Sequence, residues 1–293
     1  MAERSNSQIV FGIVIAIVLG AAMSWAGSDG GDRAGTIAVF ALCGALAFAV
    51  NWLAFIPAVL TQTERYYDLT GGITYITVTA VAVLLSSELD LRATLAAAMV
   101  MVWSLRLASF LFLRILRDGK DSRFDDIKSR PPRFLLAWTL QGLWVLLTAA
   151  AALAIITGGN RLPLGAVGIA GIAVWALGML IEIIADRQKS KFKEDPSNEG
   201  KFINTGLWAW SRHPNYFGEI VLWTGMAIVA VPVLHGWQWA TLISPVFVAF
   251  LLTKVSGVPM LEEKADERWG GKDDYEEYKR KTPVLIMKPP ALQ

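Results

Sequence analysis

Residues 134–157 read Phe-Leu-Leu-Ala-Trp-Thr-Leu-Gln-Gly-Leu-Trp-Val-Leu-Leu-Thr-Ala-Ala-Ala-Ala-Leu-Ala-Ile-Ile-Thr. The stretch holds no Asp, Glu, Lys, Arg or His, and it is longer than the roughly 20 residues a helix needs to cross a bilayer core. Pro131-Pro132-Arg133 precedes it and Gly158-Gly159 follows, so the run has marked ends. Working outward, seven further apolar segments can be drawn at about 8–27, 35–60, 71–87, 93–114, 163–185, 215–234 and 238–256. The whole chain has 293 residues, 54% hydrophobic and only 18% charged, with a mean hydropathy of +0.46. Soluble domains are about 45–50% apolar and about 25% charged, so a water-soluble enzyme and a disordered chain are both excluded. The reading is an all-α, polytopic helical membrane protein with about eight (seven to eight) transmembrane helices.

Pro57 lies inside the second segment and predicts a kink or an early end. The last two segments are joined only by about His235 to Trp237, which predicts a tight helical hairpin with His235 as a turn residue. The first segment is long for a signal peptide and is read as an uncleaved helix. Residues 1–60 then form an N-terminal transmembrane hairpin. Residues 61–293 form a core with cytoplasmic loops 114–133 and 186–213 and a tail at 257–293.

Lys and Arg set the sidedness, because basic loops resist translocation. Seven lie in loop 114–133, six in loop 186–213 and eight in 254–293; with Arg4 and Arg65 one side holds 23, against Arg33, Arg92 and Arg161 on the other. Eight spans put both termini and every rich loop in the cytoplasm. No basic tract points to nucleic acid. The lone Cys43 sits in an apolar run, which excludes an intrachain disulfide and reads as a small buried apolar group.

Ionisable groups inside spans are costly and usually face a bundle interior or a wet cavity. Trp103, Arg106, Phe110, Arg114 and Arg117 are spaced 3, 4, 4 and 3, which puts them on one helix face. Glu182 and Asp186 end the sixth span, Glu219 lies in the first turns of the seventh, and Glu64 and Asp68 flank Tyr66 and Tyr67 after the second. One reading gathers them around a cytoplasm-facing cavity; the other has Arg114 and Arg117 snorkel to lipid phosphates and the carboxylates pair with loop lysines.

The densest polar run is Gly200 to Trp223: Gly-Lys-Phe-Ile-Asn-Thr-Gly-Leu-Trp-Ala-Trp-Ser-Arg-His-Pro-Asn-Tyr-Phe-Gly-Glu-Ile-Val-Leu-Trp. Asn204-Thr205-Gly206 is a turn, Ser211 can cap a helix, and Pro214 suits its first turn. A helix start flanked by Arg212 and Lys201 is an anion site. Asn215, Tyr216 and Glu219 lie on neighbouring turns. The alternative is an interfacial loop, with Trp208 and Trp210 as an aromatic belt.

The pieces Gly206-Leu207-Trp208, Ser211-Arg212-His213-Pro214-Asn215-Tyr216, Gly218-Glu219 and Trp223-Thr224-Gly225 resemble the C-terminal domain of the steroid 5-alpha-reductase superfamily, in particular its bacterial DUF1295-type branch. So does the tail, with Leu261-Glu262-Glu263-Lys264, Tyr275, Tyr278 and Pro283. The likeness covers about residues 95–290 and is sharp over about 200–225. It implies a helical fold in the bacterial inner membrane with no Rossmann domain, consistent with the lack of a Gly-rich dinucleotide fingerprint. It further implies an NADPH-dependent reductase of a conjugated carbon–carbon double bond in a lipid-like substrate, a sterol or isoprenoid. Asn204, Trp208, Ser211, Arg212, His213, Asn215, Tyr216 and Glu219 would hold the cofactor, with Arg106, Arg117, Arg123, Asp186, Tyr275 and Tyr278 as looser matches. Trp103 stands roughly where steroid-reducing members have a Tyr. Their adjacent Gln-Glu pair is not found; Glu64, Tyr67 and Asp68 are the nearest substitutes.

The Arg-His-Pro-x-Tyr run also resembles membrane methyltransferases of the isoprenylcysteine and phospholipid type, which bind S-adenosylmethionine and use a Glu-Glu pair that Glu262-Glu263 would match. A third reading is a non-catalytic lipid-binding membrane protein. In each, the partners are membrane lipids and a lipid-like small molecule; neither substrate identity nor oligomeric state is legible.

Overall fold

The computed structural model describes residues 6–118, 121 and 124–290, with backbone alone at 114 and 116–118. Among these residues the chain forms ten α-helices and almost no sheet: α1 (Asn6–Gly27), α2 (Val39–Leu60), α3 (Tyr67–Leu85), α4 (Leu91–Asp118), α5 (Pro131–Thr157), α6 (Ala166–Glu194), α7 (Pro214–Ala230), α8 (Ile243–Phe250), α9 (Val258–Trp269) and α10 (Asp273–Lys281). A two-residue hairpin, Arg33–Ala34 paired with Ile37–Ala38, joins α1 to α2. Eight helical stretches are long and apolar enough to cross a membrane, as the sequence predicts. In a bilayer core every backbone polar group must be paired within its own segment, and helices achieve this. The chain is an integral membrane protein.

Two compact units emerge, the first made of residues 1–168 and 229–244 and the second of 169–228 and 245–293. In the first, α5 packs against α1, α2, α3 and α4. Nearly every residue from Gly142 to Thr157 is buried, which explains why that stretch is apolar on all sides. Its small Ala149–Ala152 segment is fully enclosed. Arg92, also buried, donates from Nη1 to the carbonyl of Val229 at 2.7 Å and from Nη2 to that of Pro163 at 2.8 Å. The first of these acceptors lies in the last turn of α7, where a cation meets the helix dipole favourably. Cys43 is buried, and its Sγ donates to the Val78 carbonyl.

In the second unit α6 and α7 approach until their backbones touch. A Cβ on Gly218 would lie 2.7 Å from the amide nitrogen of Glu182, and Gly178 and Gly225 face backbone in the same way. Small residues permit such close helix contact in membranes. Glu182, Asp186 and Glu219 are buried there.

The eighth span is not one continuous helix. It runs as a 3₁₀ segment (Gly236–Leu242), α8, a π turn (Leu251–Val255) and a break at Ser256-Gly257 before α9. Pro245 and Pro259 explain the pieces, since neither has an N–H to give and each ring clashes with the preceding turn. Pro232 ends α7 likewise. Pro57, by contrast, sits in the last turn of α2, which stops at Leu60.

Candidate functional site

The second unit carries the candidate site, and its local structure starts at Gly206. That glycine has φ +61°, and a Cβ there would press on the Gln188 amide. The Gln188 carbonyl oxygen instead accepts from Leu207 N–H at 2.9 Å. The turn places Trp208 in the interior, where Nε1–H donates to the Ala185 carbonyl at 3.0 Å, with Lys189 Nζ 4.6 Å from its ring centre.

From Trp210 onward the chain is strapped by its own tail. Arg212 N–H donates to the Pro283 carbonyl at 2.9 Å, and Lys288 N–H donates to that of Trp210 at 2.9 Å. Ser211 Oγ donates to Leu285 O at 2.8 Å and accepts from His213 N–H at 3.1 Å. The cap of α7 falls two residues later than expected. His213 is the capping residue, its carbonyl accepting from Phe217 N–H, and Pro214 is the first helical position.

Here one carboxylate meets two neighbours. Glu262, in the second turn of α9, accepts from Arg212 Nη2 at 3.0 Å with Oε2 and contacts His213 Nε2 at 2.8 Å with Oε1. The Arg212 side chain is 11% exposed and that of His213 6%, whereas Glu262 is 22% exposed. Arg212 Nε and Nη1 and His213 Nδ1 are buried and make no hydrogen bond among the described residues. His213 stacks on Tyr216, ring centres 5.7 Å apart and planes 11° from parallel. Gly257 makes room for that phenol ring, because a Cβ there would come within 2.8 Å of it. The π turn and break before α9 thus place Gly257 and Glu262 where the Arg-His pair needs them.

Burial, helped by the positive charges of Lys189 and Arg212, holds the His213 imidazole below its ordinary range despite Glu262, so it is neutral at pH 7. Burial also pushes both tail phenols up: Tyr275, whose OH donates to Asp266 at 3.1 Å, and Tyr278, whose OH donates to Trp208 O at 2.7 Å. Their rings pack on Phe202.

Nearby lies a cavity of about 380 Å³, lined by Lys189, Lys193, Lys201, Phe202, Arg268 and Trp269 among others, with Glu194, Asp195 and Glu199 also on its wall.

Of the sequence candidates, Trp208, Ser211, Arg212, His213, Tyr216, Tyr275 and Tyr278 belong to this connected set. Asn204 is exposed and Asn215 half-buried in the first turn of α7, while Asp186 and Glu219 are buried on the α6 and α7 faces. The other candidates are in the first unit. Glu64, 4% exposed, accepts from Lys128 Nζ at 3.0 Å and Asp121 N–H at 3.1 Å. These bonds outweigh the effect of its burial and hold its carboxyl below the ordinary range. Tyr67 donates to the Ala137 carbonyl at 3.0 Å and packs on Phe124 and Trp138. Trp103 meets Tyr75 edge to face, and Asp68 and Arg106 are half-buried. The side chain of Arg117 and the whole of Arg123 lie outside the described residues.

The sequence reading missed Glu262 as the fastener of Arg212 and His213, although Glu262, Asp266 and Trp269 at i, i+4 and i+7 do mark one face of α9. Nothing in the sequence flagged Gln188.

Comparison with known proteins bears on this site. The chain is 30% identical over 98 residues to a probable O-methyltransferase, ustE, of Ustilaginoidea virens (33% of this chain, 34% of the relative). It is 33% identical over 72 residues to bovine 3-oxo-5-alpha-steroid 4-dehydrogenase 1 (25% and 28%). To the steroid 5-alpha-reductase DET2 of Gossypium hirsutum it is 30% identical over 110 residues (36% and 38%). The matches thus span about a third of the length of these curated relatives. No solved structure matches. A family model described as a protein of unknown function (DUF1295) matches residues 54–282, and the chain therefore belongs to that family, with steroid 5-alpha-reductases among its relatives.

Proposed function

We propose that this protein is an NADPH-dependent membrane reductase acting on a conjugated carbon–carbon double bond of a lipid-like substrate, a sterol or isoprenoid. The observation that carries the reading is Arg212. It is nearly buried and already neutralised on one nitrogen, yet Nε and Nη1 have no acceptor among the described residues. Buried donors left unmade are expensive, and a planar guanidinium edge fits a phosphate by paired hydrogen bonds. The donor set suits a phosphate-bearing coenzyme. Arg212 and the start of α7 would hold phosphate oxygens, the Tyr216–His213 stack offers a flat face, and Lys189, Lys193, Lys201 and Arg268 supply positive charge at the neighbouring cavity. NADPH, when bound, supplies the hydride; the chain's part is to bind it, orient it and exclude water. Arg106, Arg117, Arg123, Asp186, Asn204, Asn215 and Glu219 are further proposed contacts on the resemblance. Glu64, Tyr67, Asp68 and Trp103 are the proposed substrate-side groups, although for Glu64 and Tyr67 the bonds described above favour a role in holding the fold.

A methyltransferase reading has the ustE likeness in its favour. It requires a carboxylate pair for a cationic sulfonium, and here both oxygens of Glu262 are engaged while Glu263 is exposed. The basic loops favour both termini on the cytoplasmic side of a bacterial inner membrane.

Calorimetry on detergent-purified protein tests the reading. NADPH binds with micromolar affinity, Asn215→Ala and Arg212→Ala weaken it, and lipid enones oxidise the bound nucleotide, read as loss of absorbance. Heat with S-adenosylmethionine but none with NADPH would reverse the order of the two readings.

A further inference from the structure

We infer that Glu262 is a positioning residue that fixes the tautomer of His213, so that Nδ1 stands as a buried hydrogen-bond acceptor for an N–H or O–H of the bound ligand. The ligand being the nicotinamide coenzyme rests on the function proposed above; the tautomer does not.

The geometry leaves little freedom. Glu262 has two oxygens, one on Arg212 Nη2 at 3.0 Å and the other on His213 Nε2 at 2.8 Å. A carboxylate can only accept, so Nε2 carries the hydrogen. The imidazole is neutral, held so by burial and by Lys189 on α6 and Arg212 beside it in the chain, so Nδ1 carries only its lone pair. That lone pair is buried and meets no donor among the described residues. Ser211 Oγ is engaged by the His213 backbone N–H and by carbonyls of the tail strap, not by the ring. Stacking on Tyr216 fixes the ring plane, and Glu262 fixes its rotation within that plane. Three atoms of the two residues that Glu262 holds, Arg212 Nε and Nη1 and His213 Nδ1, are therefore buried without a partner among the described residues, two of them donors and one an acceptor. A free phosphate has no hydrogen to give Nδ1 once fully ionised, whereas a carboxamide or a sugar hydroxyl does. An acceptor at Nδ1 thus favours a ligand that carries a neutral N–H or O–H donor.

Glu262→Gln separates this role from packing. The amide keeps the shape but has one acceptor and one donor end. With its oxygen on Arg212, its NH₂ faces Nε2 and drives the proton to Nδ1, turning the acceptor into a donor. The chain has only two histidines, so ¹⁵N-histidine labelling in detergent gives a readable spectrum, with His235→Asn assigning the pair. The expected result is the Nε2–H tautomer in the native protein, the Nδ1–H tautomer in Glu262→Gln, and NADPH binding about tenfold weaker in the variant. A native His213 that is cationic or Nδ1–H at neutral pH overturns the inference without any variant. So does a switched tautomer with unchanged NADPH affinity. Native protein that shows the Nε2–H tautomer but binds no NADPH overturns the proposed function and leaves the positioning role standing.

Discussion

Two carboxylate clusters of this molecule are built from the same kinds of groups and end in opposite states. At Glu64 the carboxylate is the buried partner, 4% exposed, and both its oxygens are filled, by Lys128 Nζ and Asp121 N–H. Its cation is the outer partner, with a side chain 24% exposed and open to water. At Glu262 the order is inverted. The carboxylate is the more exposed group, and its less exposed partners Arg212 and His213 keep two buried donors and one buried acceptor unused among the described residues. A closed cluster has nothing left to offer a ligand and holds a loop. An open cluster is costly to leave unfilled, and the proposed function rests on that cost.

The largest expected effect separates the two. Arg212→Ala removes both unused donors and should weaken NADPH binding about a hundredfold, the scale of losing a charge-assisted phosphate contact of some 2–3 kcal/mol. Thermal unfolding should change much less, since the partner left behind, Glu262, reaches water. A large loss of stability with unchanged binding would make this cluster the same kind of object as the one at Glu64.

Glu64→Ala is the converse. It leaves Asp121 N–H without its acceptor and Lys128 without its main partner, at a cost of about 2 kcal/mol in stability. Lys128 can turn to solvent, which limits the cost. Unfolding followed by circular dichroism should show a lower midpoint, while nucleotide affinity should hold. Lost affinity with a preserved midpoint would restore Glu64 to the substrate-side role its resemblance implies.

The contrast between the clusters was only partly legible in the sequence. The fold class was plain at 134–157, because a bilayer core leaves the backbone few alternatives and a charge-free run of that length has one use. The eighth span was legible as a span but its breaks were not, because its composition is apolar throughout while its shape is set by Pro245 and Pro259, whose missing N–H groups outweigh apolar periodicity. At the site, Arg212, His213 and Tyr216 stood out because they are close in sequence and stack or point together once α7 forms. Glu262 was marked only through the tail resemblance and the Glu-Glu pair, and its contact with Arg212 and His213 was not legible, since it is 49 residues from His213 and an acidic residue on an exposed helix looks alike whatever it touches. For the same reason Glu64 could be marked as a carboxylate in the inner loop after the second span, but not as a buried one whose oxygens are already filled.

Acid should unmake the two clusters at different points. The folded His213 imidazole titrates below its ordinary 6.5, so on acidification the unfolded chain takes up the proton first. Its contribution is therefore present above pH 6.5 and lost as the pH falls through the folded value. The folded Glu64 carboxyl titrates below its ordinary 4.5, and by the same sign its contribution is present above that pH and lost below it. Stability measured against pH should fall in two steps, the upper abolished by His213→Asn and the lower diminished by Glu64→Gln. A single step at the lower position would mean that Glu262, Arg212 and Lys189 leave the imidazole no preference for its neutral form.

The smallest effect concerns Tyr278, which the resemblance places among the coenzyme contacts. Its hydroxyl donates to the Trp208 carbonyl at 2.7 Å, and its ring packs on Phe202 with centres 5.3 Å apart. Tyr278→Phe keeps the ring and removes one hydrogen bond, so stability should fall by about 1 kcal/mol. The phenol is a filled donor of the Glu64 kind, although it lies close to the open cluster. NADPH affinity should accordingly change by less than about twofold, because the unused atoms on Arg212 and His213 are untouched. A larger loss of affinity than of stability would show that the hydroxyl leaves Trp208 when the ligand arrives, and the open cluster would then extend along the tail to α10.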